Sequence, residues 1–141
     1  MHVILRFELE ELLINNDLTL NDLPDYWDHK MQKYLGITPN SIGAGCMQDI
    51  HWSMGHFGYF PAYTNGAIIA SMLMEKIKET HPDIGQDITK GQLGNLNKFL
   101  NDNIRNFGSL KSSSDLVRGA TGKDKINPEI FLKYLERKYL H

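Results

Sequence analysis

The sequence predicts an all-α fold, with residues 1–141 forming one helical domain or part of one. Apolar residues recur at helical spacing along most of the chain, and no stretch alternates apolar and polar residues as a half-buried strand does. Capping residues, first-turn prolines and glycines separate the periodic stretches. The length of 141 residues and the apolar fraction of 41% are typical of a protein that buries a core.

Two helices are predicted in the first part of the chain, over about residues 1–14 and 22–35. The first begins with periodic apolar sequence and no capping residue, which indicates a chain cut from a longer one; a frayed natural terminus gives the same pattern. The second has Pro24 in its first turn, where the missing N–H costs nothing, and it ends at Gly36.

Four more helices are predicted over about residues 60–80, 89–107, 113–118 and 128–139. Small side chains along the 60–80 helix would let another helix approach closely. Two capping boxes and their following glycines predict the bounds of the next two helices: Thr89 with Gln92 and Gly108, then Ser112 with Asp115 and Gly119. Asn127 and Pro128 predict the start of the last helix.

The overall composition excludes several classes of protein. The net charge of −2, with 15 basic and 17 acidic residues, disfavours binding to a phosphate backbone. The only cysteine, Cys46, cannot form an internal disulfide, which favours a reducing compartment. No apolar run approaches the ~20 residues that span a bilayer, and the first residues do not resemble a signal peptide. We therefore expect a cytoplasmic protein without nucleic-acid or membrane partners.

The glycine-rich loop over residues 37–58 has the composition of a binding loop. Between its glycines it carries an amide, a carboxylate, an imidazole and an indole: Gln48, Asp49, His51 and Trp52. A carboxylate beside a histidine often orients or charges the imidazole, so Asp49 is expected to act on His51. The alternative interpretation is a glycine-rich turn around a buried tryptophan.

Two tyrosines follow this loop at helical spacing. Tyr59 and Tyr63 are four residues apart, so on a helix both phenols face one direction. A phenol directed at a carbonyl carbon can donate a hydrogen bond to the oxyanion that develops there. The alternative is that both are core tyrosines.

No metal site is expected in this chain. The sequence has no H-E-x-x-H and no cysteine pair, and His51 and His56 are five apart, which is poor spacing for one helical face. The six histidines are His2, His29, His51, His56, His81 and His141.

The string G-x-x-Q-D-x-H-W over residues 45–52, followed by F-G-Y-F-P-x-Y over residues 57–63, resembles the signature of the carboxypeptidase Taq family of thermostable zinc metallocarboxypeptidases. The sequence around Leu5–Glu10, the predicted second helix and the segment from Asn127 to Leu135 are also similar to that family, so the likeness spans essentially the whole chain. Two mild departures are Ala62, where the family commonly has Thr, and Asn65, where it commonly has Leu.

The resemblance implies that this all-α chain is a helical subdomain corresponding to the C-terminal part of a larger, all-helical zinc metallopeptidase. Complete members carry H-E-x-x-H, a downstream glutamate ligand and arginine motifs, all of which would precede Met1. In them, zinc and a glutamate base activate the water that attacks the last peptide bond. The resemblance further implies that this part contributes a wall of the substrate cleft.

The same resemblance implies roles for individual residues. His51 would hydrogen-bond the substrate or the tetrahedral intermediate, and Tyr63, with Tyr59 as the second choice, would stabilise the oxyanion. Gln48, Asp49 and Trp52 would support the loop, its histidine and the substrate. The candidate site residues are thus His51, Tyr63, Tyr59, Gln48, Asp49 and Trp52.

The functional prediction is a fragment, or a separately encoded remnant, of an enzyme that releases C-terminal amino acids from peptides. With no cofactor site of its own, the chain is expected to be inactive alone, zinc being expected in the complete enzyme. Two alternatives remain open: a non-catalytic peptide-binding or interaction module, and a subunit that complements a separate chain. Expected partners are a peptide substrate in the complete enzyme, and either a second copy or the missing N-terminal half, because unpartnered helices expose apolar surface.

Overall fold

The computed structural model describes residues 1–140, and His141 lies outside the described residues. Within residues 1–140 the chain forms eight helices and no strand, which confirms the all-α prediction. The helices are α1 His2–Ile14, α2 Leu23–Leu35, α3 Ile50–Ser53, α4 Pro61–Thr80, α5 Ile84–Thr89, α6 Gly94–Asn103, α7 Ser113–Thr121 and α8 Pro128–Tyr139. None of these helices combines the length and the apolar character needed to cross a membrane.

The chain divides into two compact units, Met1–Thr64 and Asn65–His141, where the sequence suggested one helical subdomain. The boundary falls within α4, just after its first turn. Each unit contains a separate cluster of buried apolar side chains.

The core of the first unit is built by α1, α2 and the loop that follows them. Leu5 and Leu9 are one helical turn apart on α1 and are fully buried, as is Trp27 on α2. Met31 and Cys46 belong to the same buried cluster, and burial raises the pKa of the Cys46 thiol. Burying a large apolar side chain contributes roughly 1.5–3 kcal/mol, so each of the large side chains in this cluster contributes substantially to the stability of the unit.

A polar contact also joins α1 to α2. The Nζ atom of Lys30 lies 2.5 Å from Oε2 of Glu8, and the Tyr34 hydroxyl donates to the same carboxylate at 2.8 Å. The hydrogen bond from Lys30 lowers the pKa of Glu8, and acceptance by Glu8 raises the pKa of Tyr34. The contact therefore favours a charged Glu8 and a neutral Tyr34 in the folded chain.

The second unit packs α4 against α7 and α8. Ile68 and Met72 of α4 and Val117 of α7 are buried together. Partly buried apolar side chains of α4 and α8 cover this cluster: Ile69, Ile130 and Phe131.

The helix expected over residues 89–107 is shorter, because α6 spans Gly94–Asn103, and the sequence did not predict α5, which ends at Thr89. Thr89 does not cap a helix start, because its hydroxyl donates back to the carbonyl of Gly85 at 2.9 Å and so belongs to the end of α5. The break follows at Gly91, whose φ of +72° is readily adopted only by glycine. After α6, a short 3₁₀ turn over Arg105–Phe107 leads to Gly108.

The helix expected over residues 113–118 is longer than the sequence suggested. Its start agrees with the capping box, since the hydroxyl of Ser112 accepts a hydrogen bond from the N–H of Asp115 at 3.1 Å. Its end was wrongly placed at Gly119, because α7 continues through that glycine to Thr121. The left-handed residue that ends the helix is Gly122, with φ +74°.

Candidate functional site

The glycine-rich segment is not a loop throughout, as the sequence suggested, because it contains a 3₁₀ turn at Cys46–Gln48 and the single-turn helix α3. Asp49 joins the two in an extended conformation and caps α3. Its Oδ1 atom accepts from the N–H groups of His51 at 2.9 Å and Trp52 at 3.3 Å. Asp49 therefore starts the helix that carries the histidine, which is a local reason for an aspartate at this position.

Three of the predicted residues come together in one line of polar contacts. Nδ1 of His51 lies 3.4 Å from Oδ1 of Asp49, and Nε2 of the same ring lies 3.1 Å from the Tyr63 hydroxyl. Tyr63 is in the first turn of α4 and is half exposed, whereas Asp49 is buried. The arrangement runs from a buried carboxylate through an imidazole to a phenol at the surface.

Aromatic rings surround the imidazole of His51. The ring centroid of the buried Phe60 lies 4.9 Å from that of His51, and the centroid of Tyr59 lies 5.8 Å away. Within residues 1–140 the hydrogen bond of the His51 ring is to Tyr63, and Tyr59 contacts the histidine through its ring. Tyr59 also stacks on His56, so it belongs to the aromatic surroundings of the site.

A cavity of about 350 Å³ opens beside the His51–Tyr63 pair. Among the predicted residues, Gln48, Asp49, His51 and Tyr63 line it. The side-chain amide of Gln48 donates to the carbonyl of Ala44 at 2.8 Å, so it steadies its own turn while facing the cavity. The remaining lining residues are His2, Val3, Arg6, Ile50 and Phe60.

Arg6, the cation closest to Asp49, was not among the residues that the sequence singled out. Its Nε atom donates to Oδ2 of Asp49 at 2.6 Å, and its guanidinium lies over the ring of Trp27, 4.7 Å from the ring centroid. Its Nη1 atom also donates to the carbonyl of His2 at 3.1 Å. A charge-assisted hydrogen bond of this length to a buried carboxylate is among the stronger polar contacts in proteins.

His2 is a second imidazole on the cavity wall that the sequence did not single out. Its Nδ1 atom lies 3.2 Å from Nη1 of Arg6. Partial burial, followed by the positive charges of Arg6 and the amino terminus, lowers the pKa of His2. The ring is therefore neutral at neutral pH and lies beside Arg6 without adding a charge.

Glu10 is also buried, and it holds the far end of the same segment. Its carboxylate accepts the backbone N–H of Gly58 and, at 3.4 Å, the indole N–H of Trp52. Trp52 packs edge-on against Trp27 and Phe60 and is not among the residues that line the cavity. The signal for this set was the spacing of His2, Arg6 and Glu10, which are four residues apart on one face of α1.

Within residues 1–140 no three His, Cys, Asp or Glu side chains converge as metal ligands would. His51 has a phenol and a carboxylate as its polar neighbours, which is a hydrogen-bonding environment.

The chain is similar to known families and curated proteins along almost its whole length. The model of the carboxypeptidase Taq (M32) metallopeptidase family matches residues 1–139. Carboxypeptidase 1 of Bacillus subtilis is 35% identical over 139 residues, which is 99% of this chain and 28% of that protein. Thermostable carboxypeptidase 1 of Pyrococcus furiosus has the same identity and the same coverage. The chain thus spans little more than a quarter of the length of these relatives.

Solved structures show the same relationship. Metallocarboxypeptidase 1 of Trypanosoma cruzi matches with a TM-score of 0.93 and 38% identity over 99% of this chain and 29% of that one. The M32 carboxypeptidase of Deinococcus radiodurans matches with a TM-score of 0.92 and 31% identity, covering 98% of this chain and 28% of that one. The family model and the solved structures match nearly the full length of the chain, and the chain therefore belongs to the carboxypeptidase Taq (M32) metallopeptidase family.

Proposed function

We propose that this chain forms one wall of the substrate cleft of a metallocarboxypeptidase that releases C-terminal amino acids from peptides. The observation that carries the proposal is the pairing of His51 with Tyr63, 3.1 Å apart, at the edge of a 350 Å³ cavity. Membership of a metallopeptidase family supports the reaction class.

In this proposal Tyr63 is the oxyanion donor. Its hydroxyl is at the surface of the first unit, where it can reach a substrate carbonyl, and the rest of its helix fixes its direction. A preoriented O–H group stabilises the negative charge of the tetrahedral intermediate more than it stabilises the ground-state carbonyl. His51 contacts the same intermediate or the peptide, and Asp49 and Gln48 hold the turn beneath it.

The activation of water is assigned to residues that this chain does not contain. The family takes its name from a metal-dependent reaction, and the described residues offer no three converging metal ligands. We therefore propose that the chain cleaves no peptide alone, and that it needs the remaining part of a complete enzyme for activity. That part is either a separate complementing chain or the N-terminal portion of a longer one.

A peptidase assay on the 141-residue chain tests this proposal. The chain is incubated with a short peptide and zinc, alone and then with the N-terminal part of a relative such as the Bacillus subtilis enzyme. We expect no release of the C-terminal amino acid from the chain alone, and release from the mixture. Chelator-sensitive release by the chain alone would overturn the proposed division of labour, and an inactive Tyr63→Phe mixture beside an active wild-type mixture would support the role of Tyr63.

A second candidate function is peptide binding without catalysis. It is favoured by the position of the cavity, which is formed entirely by residues of the first unit, from His2 to Tyr63. Calorimetric titration with short peptides in the absence of any metal tests it. Binding that is lost in His51→Ala and kept in the matched control His29→Ala would support this function, and heat below detection at millimolar peptide would exclude it.

A further inference from the structure

One ring nitrogen of His51 has no hydrogen-bond partner of normal length within residues 1–140. Its Nδ1 atom is buried, and the nearest acceptor is Oδ1 of Asp49 at 3.4 Å. Buried polar atoms are nearly always satisfied, and hydrogen bonds at functional sites are often long before a ligand binds. If Nδ1 carried a lone pair, that lone pair would face a carboxylate. The contact is favourable only with a proton on Nδ1.

Asp49 can direct this proton because it is itself held on both oxygens. Oδ2 accepts from Nε of Arg6, and Oδ1 accepts the two backbone N–H groups at the start of α3. The side chain of Asp49 is 2% exposed and that of Arg6 is 14% exposed, so solvent screens their attraction weakly. Without Arg6 the carboxylate would be a buried charge with no cationic partner at Oδ2, and its orientation toward His51 would no longer be held.

We propose that Arg6 is a positioning residue which, through Asp49, keeps the proton of neutral His51 on Nδ1 and leaves Nε2 as the acceptor for the Tyr63 hydroxyl. This inference deepens the proposed function and rests on it, since it concerns the same site. It gives Tyr63 two orientations. While His51 is neutral, the phenol donates to Nε2; when Nε2 takes a proton from solvent, the imidazolium donates to the phenol oxygen.

The second orientation is the one that serves catalysis. With Nε2 protonated, the hydroxyl hydrogen of Tyr63 is free to point into the cavity, where an oxyanion would lie. The titratable and charged groups around His51 are Asp49, Tyr63 and Tyr59, with Arg6 and His2 on the same cavity wall. Arg6 thus fixes the acceptor of the Tyr63 hydroxyl while His51 is neutral, and it does so without touching the substrate.

Nitrogen-15 NMR of the imidazole rings in the 141-residue chain tests this directly, because long-range proton–nitrogen spectra distinguish the two neutral tautomers. The His51 signals are assigned by their loss in His51→Gln. We expect neutral wild-type His51 to carry its proton on Nδ1, and Arg6→Gln to populate both tautomers. Asp49→Asn is expected to shift the population in the same direction, because an amide no longer attracts the Nδ1 proton.

Glu8→Gln is the matched control, since it removes another ion pair of α1 that lies away from His51. It is expected to leave the His51 tautomer unchanged. Arg6→Lys keeps the charge and loses the planar guanidinium, so it serves if Arg6→Gln does not fold, and it is expected to give an intermediate population.

Three results would overturn the inference: a proton on Nε2 in the wild-type chain, an unchanged tautomer in folded Arg6→Gln or Arg6→Lys, or an equal change in Glu8→Gln. None of these readings depends on peptidase activity, so failure of the inference and failure of the proposed function are distinguishable.

Discussion

Replacing Tyr63 by phenylalanine removes a single hydroxyl group and is the most direct test of the proposed site at the residue scale. In a complete relative, Tyr63→Phe at the equivalent position is expected to lower kcat on the order of a hundredfold, because an oxyanion donor acts mainly in the transition state. KM should change little, since the aromatic ring and its packing remain. Steady-state kinetics with a chromogenic peptide measure both constants.

Tyr59→Phe is the control for that experiment. Tyr59 contacts His51 through its ring, and phenylalanine keeps that ring. A loss in kcat well below that of Tyr63→Phe is expected. Equal losses would assign the oxyanion role to both phenols, and unchanged kcat in Tyr63→Phe would remove that role from Tyr63.

Loss of the Glu10 carboxylate is expected to destabilise the first unit. Its two oxygens accept from Gly58 and Trp52 in a buried position, and glutamine would replace one acceptor by a donor facing a donor. Glu10→Gln is therefore expected to lower the free energy of unfolding by ~1–3 kcal/mol, measured by urea denaturation. The neighbouring Glu11→Gln, at an exposed position, should leave the midpoint within error; a similar loss there would contradict the assignment.

At this scale the sequence singled out three residues that are in contact in the structure and lie close together in the chain. His51 and Asp49 are two residues apart, and Tyr63 follows twelve residues later, so a local motif contains the whole line of contacts. Arg6 and Glu10 are more than forty residues from their partners. Their four-residue spacing places them on one face of α1, but it does not identify the residues that they contact. That their charges were to be buried was not visible in the sequence, because burial depends on packing against α2 and α3.

Among the elements, α7 offers a paired test of where a helix ends. Gly122 adopts φ +74° and ends the helix, whereas Gly119 lies inside it, with open space where a side-chain carbon would be added. Gly122→Ala is expected to lower the free energy of unfolding by about 1 kcal/mol, and Gly119→Ala to raise it by about 0.5–1 kcal/mol. Thermal unfolding by circular dichroism measures both; opposite signs to these would return the helix end to Gly119.

The sequence predicted the longer helices and missed the short helices α3 and α5, and the start of α6 shows why bounds are hard to predict. The sequence predicts one helix over about residues 89–107, whereas α6 spans Gly94–Asn103 and Thr89 belongs to α5. Thr89 and Gln92 have the spacing of a capping box, yet a threonine hydroxyl can equally bond the carbonyl four residues before it, as it does here with Gly85. The positive φ of Gly91 shows that Thr89 ends α5 and does not start a new helix. Residue spacing alone does not predict that backbone angle.

The polar contact of Glu8 on α1 with Lys30 and Tyr34 on α2 predicts a pH dependence of stability. The lowered pKa of Glu8 means that its contribution is present above the ordinary value of 4.5 and is lost as the pH falls through the folded value. The raised pKa of Tyr34 means that its contribution is present below 10.0 and is lost at higher pH. Urea midpoints of wild type and Glu8→Gln should therefore differ most between these limits and converge in acid. A difference that persists in acid would show that packing, and not charge, causes it.

For the whole molecule, the uncovered apolar surface predicts self-association. On α1, Ile4 and Phe7 lie one turn apart and are each about two-fifths exposed. Such a face is commonly covered by another chain. Sedimentation at increasing concentration is expected to show a dimer, and Phe7→Glu is expected to shift it towards the monomer.

The control for self-association is Leu20→Glu, because Leu20 is even more exposed but lies outside α1. It should leave the dimer intact. A wild-type chain that remains monomeric at high concentration would contradict the expectation, as would equal dissociation by both variants.

The family was evident from the sequence because an eight-residue motif and its flanks are specific over nearly the whole chain. The division into two units was not evident, since it falls inside α4, which reads as one uninterrupted helical period. The position of this boundary depends on contacts between segments that are distant in sequence. Leu5 belongs to the buried cluster of the first unit, and Val117 belongs to that of the second.

The buried thiol of Cys46 gives the molecule a natural probe of its own opening. It is the sole cysteine in the chain, it lies in the core of the first unit, and burial keeps it in the unreactive protonated form. An alkylating reagent can therefore react with Cys46 only when the core of the first unit opens by local unfolding. The rate of labelling reports the local unfolding of Met1–Thr64 without any engineered tag, while the remainder of the polypeptide stays silent to the same reagent.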